Sequence, residues 1–295
     1  MMASTWVFLI LCVILFIIIV IILPIMLIVI IYLMYTFPGL FISNNNICQI
    51  TDVGHLNDIV EEHKLFNEND MNTIRDKISN LSNDHVIRNS VMTTVGIPSY
   101  IDGYDENNYN DLSQHYNEIL SNNFDFVYPK LLDKLKTITG KECAYPLDKD
   151  ENYRLSLPGY HIFKGDSWLG SGWSVASLHC DKQYLQIPIK KEYELDYDDV
   201  FSFTVGIDVP DNSGLYLYDF TDKDIEHSNA SSLLPMPLRF KNKKLYKINY
   251  KPGYLYIHDG LHYHMISEFK SSDDRITLQG HGIWCKTEKR YWIYW

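Results

Sequence analysis

Three patterns of hydrophobic and polar positions follow one another along the chain. A continuous apolar run extends from Trp6 to Met34 and holds 29 positions without a charged or strongly polar side chain. Between residues 52 and 141, apolar residues recur at intervals of three and four, which predicts amphipathic helices. From residue 142 onward, short runs rich in Tyr, Val and Ile are separated by Gly, Pro, Asn and Asp, which predicts β-strands.

The first pattern predicts an N-terminal transmembrane anchor over residues 1–51, with the span at about residues 6–34. A hydrocarbon core of about 30 Å is crossed by about 20 apolar residues in a helix, and Pro24 is tolerated as a kink. A cleaved signal peptide is the alternative, but the segment lacks a basic start, a short apolar core and a clear cleavage site. We therefore expect a single-pass membrane protein.

The orientation of the anchor follows from few charges, because residues 1–51 contain no Asp, Glu, Lys, Arg or His. No Lys or Arg stands close enough to either end to apply the positive-inside rule. Two sequons, at Asn80 and Asn229, would allow glycosylation. Our interpretation places the N-terminus in the cytosol and the domain on the lumenal or extracellular side.

The second and third patterns predict a helical region over residues 52–141 that packs on a core over residues 142–295. In the helical region, Leu131, Leu132, Leu135 and Ile138 form one apolar stripe. The core contains about nine strand-like runs with turn signals, which favours an antiparallel barrel or jelly roll. The expected fold class is mainly β with α, in which a jelly-roll core follows a helical region and one transmembrane helix.

Charge excludes one class of partner and leaves the others open. The chain has 26 basic and 37 acidic residues and a formal net charge of −11. Nucleic-acid binding needs clustered Lys and Arg, so we expect no nucleic-acid partner. The cysteines of the domain show no Cys-x-x-Cys spacing, so neither a zinc site nor a disulfide pairing follows from them.

The candidate chemistry begins with His179-Cys-Asp181 at the end of an apolar run. Positions i and i+2 of a strand face the same side, so the imidazole and the carboxylate can hold one metal ion. Two His and one carboxylate form the facial triad of non-haem Fe(II) oxygenases. Taken alone, this pair is better explained as a rim His beside a solvated Asp. Downstream, His264 supplies a further ligand type and Arg275, eleven residues later, a basic side chain that can bind a carboxylate.

These motifs resemble a known family. His-x-Asp, a Gly-Leu-Tyr-Leu-Tyr strand, Pro-Gly-Tyr-Leu-Tyr leading to His-x-Ile, and Arg-x-Thr are similar to the Fe(II)/2-oxoglutarate-dependent oxygenases with a double-stranded β-helix. The resemblance covers residues 153–284, and the runs PGYHIF and HCDKQY look like a less characterised branch. It implies Fe(II) and 2-oxoglutarate as cofactors, ascorbate as a candidate reductant, and decarboxylation of 2-oxoglutarate to succinate coupled to oxidation of a substrate.

Carried over residue by residue, the resemblance assigns the metal ligands and the cosubstrate site. His179, Asp181 and His264 match the iron ligands, and Arg275 matches the residue that pairs with the C5 carboxylate of 2-oxoglutarate. Thr277 would point the same way as Arg275 and add a hydroxyl. Tyr160 precedes the His-x-Asp strand where related enzymes present a tyrosine hydroxyl to 2-oxoglutarate, and Tyr153 is the alternative at that place.

The third metal ligand has competitors, because four histidines stand close together in the sequence. His262 and His264 would share a strand face, so periodicity cannot separate them. The family pattern places the ligand two residues before a branched apolar residue, which favours His264. His258 is expected to serve a turn, and His281 to fill the core or line the pocket.

The sequence therefore predicts a membrane-anchored Fe(II)/2-oxoglutarate oxygenase, a hydroxylase acting on a protein, a lipid or a small molecule. Two other classes fit parts of the pattern. One is a non-catalytic jelly-roll binding module tethered to a membrane, and the other is a cupin-like metalloenzyme that does not use 2-oxoglutarate. The N-terminal helix makes the membrane the one expected partner besides the substrate.

Overall fold

A computed structural model describes residues 18–36, 47–50, 59–89, 91–103, 105–147, 152, 154–165, 178–185, 192–221, 223–224, 244–267, 269 and 271–295. Its α-helices are α1 (Leu23–Thr36), α2 (Glu68–Asn80), α3 (Ser99–Asp102), α4 (Glu106–Asn123) and α5 (Val127–Thr139), with a π-helical turn Ile18–Ile22 before α1 and 3₁₀ turns at Ser82–Asp84 and Gln183–Leu185.

The strands are β1 (Ile47–Ile50), β2 (Val60–Lys64), β3 (Val86–Ile87), β4 (Met92–Val95), β5 (Cys143–Ala144), β6 (Gly159–Phe163), β7 (Leu195–Asp208), β8 (Gly214–Thr221), β9 (Leu245–Asn249), β10 (Tyr254–Asp259), β11 (His262–Ile266), β12 (Arg275–Cys285) and β13 (Arg290–Tyr294). They form two sheets. The small sheet has the order β1-β9-β8-β11, and the large sheet the order β2-β10-β7-β12-β6-β4-β3, with β13 pairing to β12 and β5.

The strand-rich core agrees with the expected mainly β class. Eight of the nine predicted runs form strands β6 to β13. The remaining run, VASLHCD, is described only from Leu178, and there His179 makes a single antiparallel bridge. The turn between β9 and β10 illustrates why the turn signals in the sequence predicted the strand boundaries. Lys251-Pro252-Gly253-Tyr254 closes with a bond from Tyr254 N–H to Lys251 carbonyl at 3.2 Å, and Gly253 has a φ of +76°, as a type II turn requires at its third position.

The predicted helical region is only partly helical. Helices α2, α4 and α5 cover the outer face of the large sheet, and the apolar stripe of α5 enters the main core with Leu131 and Leu135 fully buried. However, β2 pairs with β10 and β4 pairs with β6, so this region also extends the large sheet. The strand β2 escaped the sequence reading because its residues, Val-Glu-Glu-His-Lys, are those of a polar edge strand and show no apolar alternation.

The apolar N-terminal segment is described in part. The π-helical turn and α1 carry apolar side chains that are largely exposed, from 40% at Ile30 to 66% at Ile28. Within the part of the chain that the structure describes, no helix reaches the length and apolarity needed to cross a membrane. Residues 6–17 of the predicted span lie outside the described residues.

The two sheets enclose a cavity of about 540 Å³. Side chains from the large sheet and from β8 and β11 of the small sheet line it together. Since helices cover the other face of the large sheet, its central strand β7 is buried on both faces from Phe201 to Ile207. The cavity therefore lies between the two strand layers.

Candidate active site

The loop that carries His179 and Asp181 is fastened to the hairpin of β10 and β11 by backbone hydrogen bonds. The N–H of His179 donates to the carbonyl of His264 at 3.0 Å, and the N–H of His264 donates to the carbonyl of His179 at 2.8 Å. The N–H of Asp181 donates to the carbonyl of Gly260 at 2.7 Å. Backbone pairing therefore brings together the three side chains that the sequence analysis assigned to a metal.

The possible ligand atoms of His179, Asp181 and His264 all lie within 4.8 Å of one another. The Nε2 atom of His264 is 3.3 Å from Oδ2 of Asp181, and that of His179 is 3.6 Å from Oδ1. Ligand atoms about 2.1 Å from one ion are about 3 Å apart when they occupy neighbouring corners of an octahedron. The spacing fits a facial triad that leaves the remaining positions open.

The orientation of the His264 ring also suits a metal ligand. Its Nδ1 lies 2.8 Å from the backbone carbonyl of His262. A carbonyl oxygen only accepts, so Nδ1 carries a hydrogen and Nε2 is the ring nitrogen that faces Asp181. Such a hydrogen bond on the second ring nitrogen is the usual way in which a metal-binding histidine is held in place.

His262, the alternative third ligand, points elsewhere. The pairing of β11 with β8 shifts its register between His262 and His264, so the two side chains do not follow the simple alternation assumed from the sequence. The Nδ1 atom of His262 lies 3.5 Å from a carboxylate oxygen of Asp259, and His262 is absent from the cavity lining. The structure therefore groups His264, and not His262, with His179 and Asp181.

Electrostatics favours an ionised carboxylate among these histidines. Burial by itself raises the pKa of Asp181, but the charge and hydrogen bond of His264, with His281 and His179, hold the pKa well below its usual range. Burial lowers the pKa of His264, and the Asp181 carboxylate outweighs it and raises that pKa above the ordinary value. The centre thus presents an anionic oxygen ligand inside a buried site.

Two further histidines line the cavity beside this centre. Burial, followed by the charge of His264, lowers the pKa of His258 to about 3, and its ring lies 4.7 Å from that of His264. Burial also lowers the pKa of His281, whose Nδ1 is 3.8 Å from Oδ2 of Asp181. His281 is therefore a pocket residue, which was one of the two readings open from the sequence.

Arg275 lies in the same cavity and is only 1% exposed. Its Nε donates to the hydroxyl of Ser213 at 2.9 Å, and its guanidinium stands 5.6 Å from the ring centroids of both Phe163 and Tyr250. No acidic side chain of the described residues forms an ion pair with it. Burial lowers the pKa of Arg275 to about 10, so it remains a cation at neutral pH.

Thr277 supports Arg275 as the Arg-x-Thr spacing suggested. Its hydroxyl is 3.5 Å from Nη1 of Arg275 and accepts from the amide of Gln279 at 3.3 Å. Thr277 is fully buried and does not itself line the cavity, whereas Gln279 does. The structure therefore places Thr277 behind the guanidinium.

Tyr160 does not reach the cavity. Its ring packs against Phe124 of α4, with the centroids 4.7 Å apart, and it belongs to the core between the large sheet and the helices. Neighbouring residues of a strand face opposite sides, so the cavity face of β6 is presented by His161 and Phe163. The structure therefore gives the assignment of Tyr160 to the cosubstrate no support. Tyr153, its alternative, lies outside the described residues.

His161 and Tyr100 were missed by the sequence analysis. The hydroxyl of Tyr100 is 2.7 Å from Nε2 of His161, and both line the cavity. Nδ1 of His161 is buried without a hydrogen-bond partner among the described residues. Burial, helped by Arg275, lowers the pKa of His161 to about 3. The sequence signal for His161 was the PGYHIF run, because a histidine in the middle of a buried strand needs a hydrogen-bond partner.

The donor set fits a metal ion such as Fe(II). Two imidazoles and one carboxylate are the ligands of the facial triad, the carboxylate is ionised, and Nε2 of His264 faces it. The same cavity also holds Arg275. The candidate metal ligands and a buried guanidinium thus line one cavity.

Comparison with known proteins gives no match by sequence and several by structure. No family model matches the chain, and no curated protein matches it. An N-substituted L-amino acid dioxygenase from Burkholderia ambifaria AMMD, solved in complex with alpha-KG (2-oxoglutarate), is similar with a TM-score of 0.50 and 14% identity, over 80% of this chain and 86% of that chain.

Two other solved structures are similar over comparable lengths. SnoN, a non-haem alpha ketoglutarate dependent epimerase from nogalamycin biosynthesis, has a TM-score of 0.43 and 13% identity over 77% of this chain and 81% of its own. HygX from Streptomyces hygroscopicus, with nickel, 2-oxoglutarate and hygromycin B bound, has a TM-score of 0.40 and 13% identity over 81% and 87%. The likeness to the Burkholderia dioxygenase establishes a shared fold, and this supports the jelly-roll core predicted from the sequence.

Proposed function

We propose that the chain is an Fe(II)- and 2-oxoglutarate-dependent oxygenase. The observation that carries the proposal is Arg275, a buried cation without an acidic partner among the described residues, in one cavity with His179, Asp181 and His264. Burying a charge without a partner is costly. A ligand carboxylate that enters the cavity would offset this cost, and 2-oxoglutarate carries one at each end.

In this proposal His179, Asp181 and His264 hold the metal. Fe(II) held there would supply the activation of O2, with one oxygen atom entering the substrate and the other entering the succinate that forms, together with CO2, from 2-oxoglutarate. The protein's own task is to keep Asp181 ionised and to aim Nε2 of His264 at the metal position. Both follow from the pKa and the hydrogen bond described above.

Arg275 binds the far carboxylate of 2-oxoglutarate. Ser213 and Thr277 fix the guanidinium through Nε and Nη1, and the rings of Phe163 and Tyr250 flank it. A planar guanidinium held in this way offers its remaining N–H donors in a fork that matches a carboxylate. The flanking rings exclude water, which strengthens the pairing in the low local dielectric.

The cavity volume accommodates a cosubstrate and part of a substrate. Ligand pockets of about 300–1,000 Å³ are typical for small molecules, and this cavity has about 540 Å³. His179 is the most exposed ligand, with 43% of its side chain accessible. The substrate therefore approaches from the side of His179, and it is a small molecule or the reactive part of a lipid or protein.

The test is turnover of 2-oxoglutarate by the purified full-length chain with Fe(II) and ascorbate. We expect succinate to form at a slow rate even without a substrate, and His179→Ala or Asp181→Ala to abolish it. The exposed Asp76 on α2 provides a matched control, Asp76→Ala, which should keep the wild-type rate. Succinate formation that survives both ligand substitutions would refute the assignment.

Arg275→Ala separates cosubstrate binding from metal binding. We expect the KM for 2-oxoglutarate to rise by about two orders of magnitude, because a charge-assisted bidentate pair is lost, while the bound metal per chain stays unchanged. The control Arg290→Ala removes an exposed arginine on β13. If KM stays at the wild-type value, Arg275 has a structural role and a metalloenzyme without 2-oxoglutarate becomes the better reading.

We further propose that the N-terminal segment anchors the oxygenase in a membrane with the domain lumenal or extracellular. Support comes from the uncharged run Trp6–Met34 and from the exposed apolar side chains of α1. The chain should stay in the pellet after alkaline carbonate extraction. Asn80 is exposed at the end of α2, so Asn80→Gln should remove one glycan. Extraction into the supernatant contradicts the anchor, and an unglycosylated chain contradicts the orientation.

A further inference from the structure

A serine and a histidine contact the carboxylate of Asp181, the proposed metal ligand. The hydroxyl of Ser202 on β7 donates to Oδ2 of Asp181, and the same hydroxyl lies 3.0 Å from Nδ1 of His281 on β12. Ser202, Asp181 and His281 are all at most 9% exposed. We propose that Ser202 and His281 are positioning residues that fix the Asp181 carboxylate for metal binding, an inference that rests on the proposed metal site.

The direction of the hydrogen bonds follows from counting protons. A carboxylate only accepts, and a serine hydroxyl has a single proton to give. Since Ser202 gives that proton to Asp181, its oxygen must accept from His281, and Nδ1 of His281 must carry a hydrogen. The chain His281 to Ser202 to Asp181 is therefore directional, and it holds the side-chain rotation of Asp181.

The backbone of the neighbouring strands supports the same arrangement. Ser202 and His281 are direct partners in the pairing of β7 with β12, and Asp181 is held by its own backbone bond to Gly260. Each residue of this hydrogen-bonded chain, in which His281 donates to Ser202 and Ser202 donates to Asp181, is thus anchored independently of the metal. We call this chain of three residues the relay. Positioning by a preformed outer layer is the arrangement that typically raises metal affinity by 10–100-fold.

Gly260 leaves the room that the Ser202 hydroxyl needs. A Cβ atom built on Gly260 would lie 2.9 Å from Oγ of Ser202 and 3.4 Å from Cβ of Asp181. Any larger residue there would push the hydroxyl away from the carboxylate. Gly260 therefore permits the hydrogen bond sterically, which gives a way to disturb the relay without deleting a polar group.

The primary experiment measures the affinity of the full-length chain for Co(II) alone, from the visible absorption band of the bound ion. We expect Ser202→Ala to raise the Kd by about 10–100-fold and to shift the band, because Asp181 is free to rotate. Ser202→Thr retains the hydroxyl and should restore most of the affinity. An unchanged Kd and band in Ser202→Ala would overturn the relay.

Three further variants cover the case in which Ser202→Ala fails to fold. His281→Asn can still donate from the position of Nδ1 and should keep the Co(II) affinity, whereas His281→Leu should weaken it. Gly260→Ala should weaken Co(II) binding and shift the band in the same sense as Ser202→Ala. If His281→Leu and Gly260→Ala both bind Co(II) as the wild type does, the relay is overturned.

Ser113→Ala is the matched control, because it removes another buried serine hydroxyl, one that donates to the carbonyl of Asn110 in α4 at 3.0 Å and does not line the cavity. It should leave the Co(II) Kd and the absorption band unchanged. The wild type distinguishes the two levels of the proposal. If the wild type binds no Co(II), or binds it equally well after His179→Ala, the proposed metal site fails. If the wild type binds through His179 and the Ser202 variants do not differ, the relay alone fails.

Discussion

The two ends of the cavity handle buried charge in opposite ways. At one end Asp181 is surrounded by His264, His179, His281 and the hydroxyl of Ser202, so its charge is compensated without any ligand. At the other end, Arg275 has among the described residues the neutral partners Ser213 and Thr277 and two aromatic rings, and no acidic side chain. The first end thus holds a compensated carboxylate, and the second holds a cation for which the described residues offer no counter-charge.

The two ends of the cavity should therefore contribute differently to the free energy of unfolding. A buried charge that has lost its partner costs several kcal/mol, whereas a satisfied one costs little more than its desolvation. The metal end should thus contribute to folding even when it is empty, and the anion end should oppose folding until it is filled. Substitutions at the two ends should therefore change the free energy of unfolding with opposite signs.

The largest expected effect is this change of sign, measured on the full-length chain without metal or 2-oxoglutarate. Arg275→Met removes the uncompensated cation and keeps most of the volume, so the free energy of unfolding should rise by about 1–3 kcal/mol. Asp181→Leu removes the acid from among its donors, so the same quantity should fall by about 3–5 kcal/mol. Denaturant titrations provide the measurement.

Adding 2-oxoglutarate tests the same contrast between the two ends of the cavity. Saturating 2-oxoglutarate should raise the midpoint of unfolding of the wild type, because a ligand that binds only the folded state stabilises it by mass action. Arg275→Met should lose this response. If Arg275→Met is less stable than the wild type when no ligand is present, the guanidinium is satisfied within the protein, and the contrast between the two ends does not exist.

The second prediction concerns His161, which lies between the two ends and has a pKa of about 3 in the folded protein against 6.5 as its ordinary value. Between these values the unfolded chain binds a proton that the folded chain does not, so stability falls as the pH drops below 6.5. At pH 5 the loss from this residue should be about 2 kcal/mol, at 1.36 kcal/mol for each pH unit below 6.5.

His161→Gln removes this titration. The free energy of unfolding of His161→Gln should fall less between pH 7 and pH 5 than that of the wild type, by the same amount of about 2 kcal/mol. His63→Gln, at a partly exposed histidine on β2, is the control and should keep the wild-type slope. Equal slopes for His161→Gln and the wild type would mean that His161 is charged or hydrated in the folded protein.

The order of residues along the chain sufficed to predict which side chains lie together in the cavity, but not the details that depend on pairing. His179, Asp181 and Arg275 were found because their residue types and spacing are uncommon together, and the structure brings them into one cavity. His262 and His264 were inseparable because the register shift in β11 depends on its partner β8, and a single strand's sequence carries no record of it.

Two further elements, the strands β2 and β4, were not predicted from the sequence for the same physical reason. The strands β2 and β4 take their conformation from pairing with β10 and β6, whereas their own sequences, Val-Glu-Glu-His-Lys and Met-Thr-Thr-Val, are short and carry weak strand signals. Ser202 is an unremarkable serine in an apolar run, and only the fold shows that it faces a carboxylate. Pairing partners distant in sequence decided each of these cases.

The smallest expected effect tests the displaced assignment of Tyr160. Its hydroxyl is buried in the core beneath the helices without a hydrogen-bond partner among the described residues, and an unsatisfied buried group costs about 1–3 kcal/mol. Tyr160→Phe should therefore leave the KM for 2-oxoglutarate unchanged and raise the free energy of unfolding by about 1 kcal/mol. Tyr128→Phe, in the same core cluster, removes a hydroxyl that donates to the carbonyl of Pro158 at 3.0 Å, and it should lower that free energy by a similar amount. A rise in KM with Tyr160→Phe would return this tyrosine to the cosubstrate site and require β6 to present its other face to the cavity.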